Sequence, residues 1–446
     1  MIKIKQQQRI VPALTALSFA VAASLVSQGV YASAFQLGRQ NDTQGVGRYG
    51  AGGTAAPDDC AVVENNPAAM SDIKGGCVQT DVVVIDYGIK FSGGGTDALG
   101  NPLTGGNGGD GGATVPIPAA HFVMPINDQL TFGAGFNAPF GLKTYYDDRW
   151  VGRYQAVSTN LKAPAATLAL AYKIDDTLSI GASLIAQRLR AELKSDINLG
   201  TILMQPTGGA LLPQEADGQG GLKGADWGFG FGLGVLWKPT PADRVGFNFH
   251  SQIDHTINGK ATFLIPSNLL PLFGGAFTNT TGTADVNTPW FANVGWWHTV
   301  NDRLSLGADF SFTHWSSFKE LVISYQNTAQ APYNRPTLFN YKNSWSGSLG
   351  GEYKLDNQWT LRAGFGYDKT PTVDETRDPR VPDGSRTGVA LGLGYKMSDK
   401  LRFDAGYYHL FVEDGKIDQT SATFDHLVGK TANDDNTFAV SVQYRF

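Results

Sequence analysis

The sequence predicts an all-β protein: an antiparallel transmembrane β-barrel of about 14 strands, plugged by an N-terminal hatch. Three observations predict this fold: the composition, the alternation of short and long connections, and the alternation of side chains along the strands. The chain has 446 residues, of which 17% are charged, 11% are aromatic and 55 are glycine. Soluble domains carry roughly 25% charged residues. A helical membrane protein needs several apolar runs of about 20 residues, and this sequence has none beyond its N-terminal segment.

The first 32 residues predict a secretory signal peptide. A basic segment (3–9) precedes an apolar stretch (10–26) and a small-residue cleavage site (30–32). We expect cleavage after Ala32, and an uncleaved anchor helix is the alternative. Because this segment holds three of the 35 basic residues and no acidic one, the mature chain has 32 basic and 40 acidic residues. A net charge of −8 without a basic stripe argues against a nucleic-acid partner.

Six short segments with a shared pattern divide the rest of the chain. Each combines an aliphatic or small residue with an Asx-containing pair and leads into a strand; they lie at 126–130, 174–178, 241–245, 300–304, 355–359 and 397–401. Asn and Asp favour tight hairpin turns. The connections between these turns are longer and rich in Gly, Pro, Asn and Thr. Such asymmetry is typical of outer-membrane barrels, with short periplasmic turns, long external loops and both termini in the periplasm.

The segments between the turns alternate with a period of two. In 227–235, 361–368 and 391–395, large apolar residues alternate with glycine or polar residues. The apolar face suits lipid and the other face suits a lumen, although a soluble β-sandwich also alternates. The predicted strands are 77–91, 113–125, 130–145, 155–174, 178–193, 227–239, 244–263, 283–300, 304–325, 337–355, 359–368, 388–397, 401–412 and 436–446.

The last predicted strand ends on the aromatic Phe446, which shares a face with Phe438, Val440, Val442 and Tyr444. A terminal aromatic residue on an alternating strand resembles the assembly signal of Gram-negative barrels. The expected location is therefore the outer membrane of a Gram-negative bacterium. The expected partners are the barrel assembly machinery, outer-membrane lipid and lipopolysaccharide, and the protein is expected to be a monomer.

Residues 33–75 carry a resemblance to a known family. They contain no convincing strand, yet they are too long for a tether. Their motifs SAFQL, GVGR, AAPDD and NPA, in that order, are similar to the N-terminal hatch of FadL-type long-chain fatty acid transporters. Further matching segments lie in the barrel at 121–128, 139–142, 227–230 and 315–318. We therefore divide the chain into a signal peptide (1–32), a hatch (33–75) and a transmembrane barrel (76–446).

The resemblance implies passive uptake of long-chain fatty acids, with no cofactor. Ligand is captured near the external loops, moves to a pocket at the tip of the hatch, and leaves sideways where the third strand kinks inward. A channel for aromatic or aliphatic hydrocarbons in the same superfamily is the alternative. A general porin or a barrel enzyme is more remote, because a hatch of this length argues against an open lumen. The sequence also shows neither a Gly-x-Ser-x-Gly elbow nor a metal-ligand spacing.

The hatch and the fifth and tenth strands supply candidate ligand-contacting residues. The resemblance places Phe35 in the ligand pocket. The candidate gate is Asn66, Pro67 and Ala68, a rigid turn because proline fixes φ and restricts the residue before it. A role in hatch folding alone is the alternative. A cation among apolar residues needs a counter-ion, which a carboxylate head group supplies, and surface cations are the alternative. The candidate cations are Arg190, Lys194 and Lys342.

Pro139 interrupts the third predicted strand. Proline has no N–H for the ladder, and a closed barrel has no free edge on which to place it. An unsatisfied backbone group in lipid costs several kcal/mol, so we expect the strand to bend inward. Gly141 permits the bend and Phe140 is re-aimed towards the ligand, which opens a gap beside the third strand. The alternative places Pro139 above the bilayer, in the loop.

Two further features lie outside this route. Cys60 and Cys77 are the only cysteines, and in an oxidising periplasm a disulfide between them would tie the hatch to the first strand; two separate thiols are the alternative. Two apolar loop stretches, 197–204 with 211–212 and 263–273, predict a surface that receives ligand. Packing of these loops against each other is the alternative.

Overall fold

The computed structural model describes residues 34–37, 42–57 and 59–446, so the predicted signal peptide lies outside the described residues. Fourteen antiparallel strands form a closed barrel, which confirms the predicted fold. The strands are β1 (Cys77–Thr96), β2 (Ala113–Pro125), β3 (Leu130–Tyr145), β4 (Ser158–Lys173), β5 (Leu178–Asn198), β6 (Asp217–Trp237), β7 (Asp243–His250 and Ile253–Leu264), β8 (Thr280–Thr288 and Phe291–Thr299), β9 (Leu304–Thr313), β10 (Ser344–Lys354), β11 (Trp359–Asp368), β12 (Arg386–Lys396), β13 (Leu401–Val412 and Gly415–Thr420) and β14 (His426–Arg445).

The first and last strands close the barrel. β1 pairs with β14 along its whole length, from Cys77 opposite Arg445 to Thr96 opposite His426. The terminal Phe446 donates its backbone N–H to Gly76 O at 3.1 Å and its ring stacks on Phe122. Closure leaves each strand with neighbours on both sides, apart from the local interruption described below.

The outer face of the barrel is apolar along the strands. The side chains of Phe229 and Leu391 are 75% and 65% exposed, and neighbouring aromatic and aliphatic residues share this face. In an outer-membrane barrel, an apolar band of this kind faces lipid, which confirms the predicted alternation. Within the described residues, no helix has the length and apolar character to cross a membrane.

Three strands begin far from their predicted starts, and β9 ends at Thr313 rather than 325. β6 begins at Asp217 rather than 227, and β14 begins at His426 rather than 436. Both extensions are rich in Gly, Asn or Asp, which disfavour strands, but the neighbouring strands β5 and β1 supply a continuous ladder. β10 begins at Ser344 rather than 337, because Thr337–Leu338 pairs instead with Glu320–Leu321 in a separate two-stranded sheet.

The described residues of the hatch lie inside the barrel. The hatch contains the short helices α1 (Thr43–Arg48) and α2 (Val62–Asn65) and the 3₁₀ helix Pro67–Asp72. α1 contacts β11, β12 and β13, whereas the 3₁₀ helix contacts β4, β5 and β6 on the other side of the lumen. The hatch therefore bridges opposite walls.

Ionic and covalent links hold the hatch in place. Asp72 accepts from Lys238 and Arg244 of the wall at 2.8 and 2.7 Å. Cys60 is bonded to Cys77, with Cα atoms 6.2 Å apart, so the hatch is tied to the first residue of β1. The side chains of the two ion pairs are only 14–20% exposed, so these pairs are stronger than equivalent pairs at a fully exposed surface.

Candidate functional site

Six aromatic side chains form a buried cluster above the tip of the hatch. The ring centroid of Phe35 lies 4.6 Å from that of Trp315, in an edge-on arrangement, and 5.5 and 6.0 Å from those of Phe318 and Phe140. Each of the six is less than 10% exposed. We call this cluster the aromatic chamber; its members are Phe35, Phe140, Trp315, Phe318, Phe339 and Tyr341. Phe35 and Phe140 therefore lie together, as the sequence predicts, and their role towards ligand stays a prediction.

β3 is kinked at Pro139, and the hatch takes over its backbone bonds. The β3–β4 register shifts between Asn137 and Phe140, which leaves Pro139 outside the ladder. Pro139 O accepts from the backbone N–H of Leu37 at 2.7 Å, and the N–H of Gly141 donates to Phe35 O at 2.9 Å. Hatch residues 35–37 thus form hydrogen bonds with the backbone groups of β3 that lose their partners in the wall. The kink therefore leaves these two groups satisfied.

The same kink interrupts the pairing of β2 with β3. β2 pairs with β3 only between Ala120–Pro125 and Thr131–Phe136, although it pairs with β1 as far as Ala113. Residues 113–119 of β2 thus have no strand partner on the β3 side in the described pairings. The N–H of Tyr145 donates to Gly111 O at 3.1 Å and bounds this interval at its far end. We call the interval between β2 residues 113–119 and β3 residues 137–144 the lateral gap.

Pro116 and Pro118 lie on the β2 edge of the lateral gap. Proline has no backbone N–H, so at these two positions an unpaired strand edge leaves no N–H group without a hydrogen bond. Two prolines in one predicted membrane strand are therefore a sequence signal for an unpaired edge. The prediction of a kink rested on Pro139 alone, without Pro116 and Pro118.

A cavity of about 140 Å³ lies between the hatch and the wall beside Pro139. Its lining is mixed in polarity and includes Gln36, Glu64, Asn137 and His250. Burial raises the pKa of the Glu64 carboxyl to about 7, although a hydrogen bond from Thr167 opposes the rise.

The Asn66-Pro67-Ala68 turn joins three parts of the molecule. Asn66 is fully buried, and its Nδ2 donates to Thr54 O of the hatch and to Val235 O of β6, both at 2.9 Å. Its Oδ1 accepts from the N–H of Ala68 and caps the 3₁₀ helix, where Pro67 occupies the first turn. The structure therefore gives Asn66 a docking role, and gating stays a prediction.

The three predicted head-group cations do not face the aromatic chamber. Leu189 is fully buried in the lumen, so strand alternation places Arg190 and Lys194 on the opposite, outer face, where both are exposed. Lys342 is also exposed and precedes β10, because residues 341–343 lie outside the strands; its N–H donates to Pro371 O. The prediction that these cations lie in an apolar pocket is wrong.

Buried arginines that the sequence reasoning missed lie near the hatch tip. Asp383 accepts from Arg386 Nη2 at 2.8 Å and from the backbone N–H of Ala34 at 2.9 Å. Arg377 donates to Asp383 O and pairs with Asp374. These guanidinium groups thus already have acidic partners. The sequence offered no clear signal for them, because residues 369–385 have the composition of an ordinary external loop.

The two apolar loop stretches pack on each other. A short helix, α3 (Leu199–Leu203), and the 3₁₀ helix Leu270–Phe273 contribute to one apolar cluster. Its buried members are Leu199, Leu203, Leu269, Phe273, Ala276 and Phe277. The loops therefore bury much of their apolar surface against each other, and their role in receiving ligand stays a prediction.

The chain offers no clear site for a metal ion in its described part. Within 34–37, 42–57 and 59–446, no three His, Cys, Asp or Glu side chains are grouped as a metal site requires.

A closed barrel with an apolar outer face and a lumen filled by its own N-terminal segment defines a plugged outer-membrane channel. A family model described as outer membrane protein transport protein (OMPP1/FadL/TodX) matches residues 23–446. The chain belongs to this family, which confirms the resemblance seen in the sequence. It is an outer-membrane transport protein for hydrophobic compounds, located in the outer membrane of a Gram-negative bacterium.

Individual relatives are similar over nearly the whole chain. Outer membrane protein P1 of Haemophilus influenzae is 30% identical, over 88% of each chain. The long-chain fatty acid transport protein of Escherichia coli K12 is 26% identical, over 92% of this chain and 94% of its own. The crystal structure of a Pseudomonas aeruginosa FadL homologue superimposes with a TM-score of 0.87 at 31% identity, over 92% of this chain and 99% of that one. The Pseudomonas putida toluene transporter TodX shares the fold, with a TM-score of 0.68 at 18% identity over 92% and 99%.

Proposed function

We propose that this protein takes up long-chain fatty acids by passive diffusion and releases them sideways through the barrel wall. One observation carries this proposal: the aromatic chamber lies beside a strand whose pairing with its neighbour is interrupted. An apolar chain gains free energy from a dry chamber and gains none from a wet pore. The hatch closes the axial route, whereas the lateral gap faces the apolar band of the wall.

The route has three stages. The apolar cluster in the external loops, around Phe273 and Phe277, receives the ligand from the medium. The ligand then enters the aromatic chamber, where displacement of Phe35 makes room for it. Because Phe35 and Leu37 also bond the kink of β3, a shift of the hatch tip is transmitted to the edge of the lateral gap. The ligand leaves there into the outer leaflet.

Fatty acids are favoured over aromatic hydrocarbons as the substrate. The relatives named as long-chain fatty acid transport proteins align over most of this chain, whereas the toluene transporters match it at 17–22% identity, which supports a shared fold only. Hydrocarbon uptake is the second candidate, because all six rings of the aromatic chamber can also pack against an aromatic ligand.

Uptake of labelled oleate is the direct test of the proposed function. Cells that lack their own fatty acid channel are expected to accumulate oleate when they express this protein, and to do so without an added energy source at the outer membrane. The matched control is accumulation of toluene by the same cells. Toluene uptake without oleate uptake would reject the fatty acid proposal and support the hydrocarbon candidate.

Replacement of Asn66 by Ala is expected to reduce uptake while the barrel still assembles. The change removes the bonds to Thr54 and Val235 and the cap of the 3₁₀ helix, and each buried group left unpaired costs about 1–3 kcal/mol. The hatch docks less firmly as a result. Oleate uptake measures the effect, and heat-modifiable migration in gels monitors the barrel.

The neighbouring Asn65→Ala variant is the control. The side chain of Asn65 donates to Asp42 at 3.0 Å, its one hydrogen-bond partner among the described residues, and Asn65 is less buried than Asn66. Uptake is expected to stay close to the wild-type rate in this variant. Equal uptake by the Asn66→Ala and wild-type proteins would contradict a role for this turn in transport.

A further inference from the structure

Two hydrogen-bond donors in the aromatic chamber have no partner among the described residues. The indole Nε1 of Trp315 and the hydroxyl of Tyr341 are buried and make no hydrogen bond within 34–37, 42–57 and 59–446. Trp315 is 0% exposed and Tyr341 is 3% exposed. A buried donor without an acceptor costs free energy, and buried Trp and Tyr side chains usually find a partner for their polar atoms. A chamber built only for packing could use phenylalanine at both positions.

The two donors belong to one contact network around the hatch tip. Their ring centroids are 5.8 Å apart in an edge-on arrangement, and Phe35 packs against the indole. Phe318 contacts both Phe35 and Tyr341, with centroids 5.5 and 5.3 Å away. A ligand that displaces Phe35 therefore enters the space that these two side chains border.

We propose that the Trp315 N–H and the Tyr341 hydroxyl donate hydrogen bonds to the head-group oxygen of the bound ligand. This inference rests on the proposed function, since it assigns the head-group contacts of the same chamber. The ligand class is a long aliphatic chain that ends in a hydrogen-bond acceptor, such as a carboxylic acid, an ester or an alcohol. A hydrocarbon without an acceptor leaves both donors unpaired.

The charges around the chamber favour an uncharged head group. The charged groups that act on the Tyr341 hydroxyl are the carboxylates of Asp383 and Asp378 and the guanidinium group of Arg377. Arg377 is paired with Asp374, and Arg386 is paired with Asp383. Asp368 adds a further carboxylate beside Arg386. Acidic groups therefore outnumber basic ones in this set, and an anionic carboxylate would meet no unpaired cation there. Neutral donors such as an indole and a phenol accept a neutral oxygen without needing a counter-ion.

Burial also keeps the Tyr341 hydroxyl in its donor form. It raises the pKa of Tyr341 well above its usual value, and the nearby carboxylates of Asp383 and Asp378 act in the same direction. The hydroxyl thus stays protonated throughout the physiological range.

The test measures binding of three probes to purified full-length protein in detergent: oleic acid, methyl oleate and 1-octadecene. The variants are Trp315→Phe and Tyr341→Phe, which keep an aromatic ring and remove one donor each. We expect each variant to bind the acid and the ester about fivefold more weakly, and to bind the alkene as the wild type does. Tyr353→Phe, on the exposed outer face, is the matched control and is expected to change nothing.

Each contrary result has a separate meaning. Wild-type protein that binds none of the three probes would overturn the proposed function. Wild-type binding with unchanged affinities in both variants would overturn the inference alone. Equal weakening for all three probes would also overturn it, because it would assign the effect to packing. Weakening for the acid without weakening for the ester would overturn the preference for an uncharged head group.

Discussion

Cross-linking β2 to β3 across the lateral gap is expected to stop ligand release while the barrel stays folded. The register of Ala120 opposite Phe136, continued along both strands, brings position 118 opposite position 138. A Pro118→Cys, Ala138→Cys double variant with a cleavable thiol cross-linker therefore pins the two edges together. We expect oleate uptake to fall at least about tenfold, because opening of the wall becomes the limiting step, and to recover after reduction of the linker.

A second cross-linked pair controls for stiffening of the barrel. Leu168 of β4 lies opposite Leu184 of β5, and both side chains are exposed on the outer face in a fully paired region. Cysteines at these positions, joined by the same reagent, are expected to leave uptake unchanged. The native cysteines are bonded to each other and do not compete for the reagent. Wild-type uptake in the cross-linked 118–138 protein would refute lateral release at this gap.

Replacement of Gly364 by Leu is expected to unseat the hatch and open the lumen. A Cβ at this position on β11 would lie 2.0 Å from Arg48 O, closer than any real contact, and the atom it meets is backbone. α1 must then move away from the wall, which also disturbs the contact of Arg48 with Glu352. We expect a clear rise in single-channel conductance in planar bilayers, together with faster entry of a hydrophilic dye into cells.

Gly347→Leu is the matched control for this substitution. Gly347 lies in the neighbouring strand β10, and a Cβ there would meet nothing within 4 Å. The conductance of this variant is expected to match the wild type, with normal heat-modifiable migration for both variants. A Gly364→Leu protein that folds and stays closed would show that the hatch is not seated by this contact.

The sequence predicted the barrel well because the signals for it are local. The turn at 126–130 and the glycine alternation in 227–235 depend only on neighbouring residues. The starts of β6 and β14 were missed because a partner strand, not local propensity, makes those residues extended. The sequence could also have predicted the face of Arg190. Arg190 lies six positions after Leu184 on the same strand, so alternation places both side chains on the outer face. The prediction for Arg190 rested on its height along the strand, which does not determine the face of the barrel.

The chamber was only partly predictable. Phe35 and Phe140 followed from motifs, but the pairing of Trp315 with Tyr341 is a contact between distant segments. Arg386 opens β12, and its partner Asp383 lies in a loop without strand or helix periodicity. Such contacts depend on how the loops fold over the hatch, and a single sequence carries no direct record of that arrangement.

The disulfide between Cys60 and Cys77 affects how much the outer membrane would leak when this channel is abundant. A barrel of this size without its hatch would admit water and small hydrophilic solutes. The bond between Cys60 and the first residue of β1 adds a second covalent link between hatch and wall, so we expect residues 60–76 to stay in the lumen during transport. With lateral release, as proposed above, ligand flux and leakage of hydrophilic solutes would be carried by different parts of the molecule, so abundant expression would be compatible with resistance to hydrophilic antibiotics.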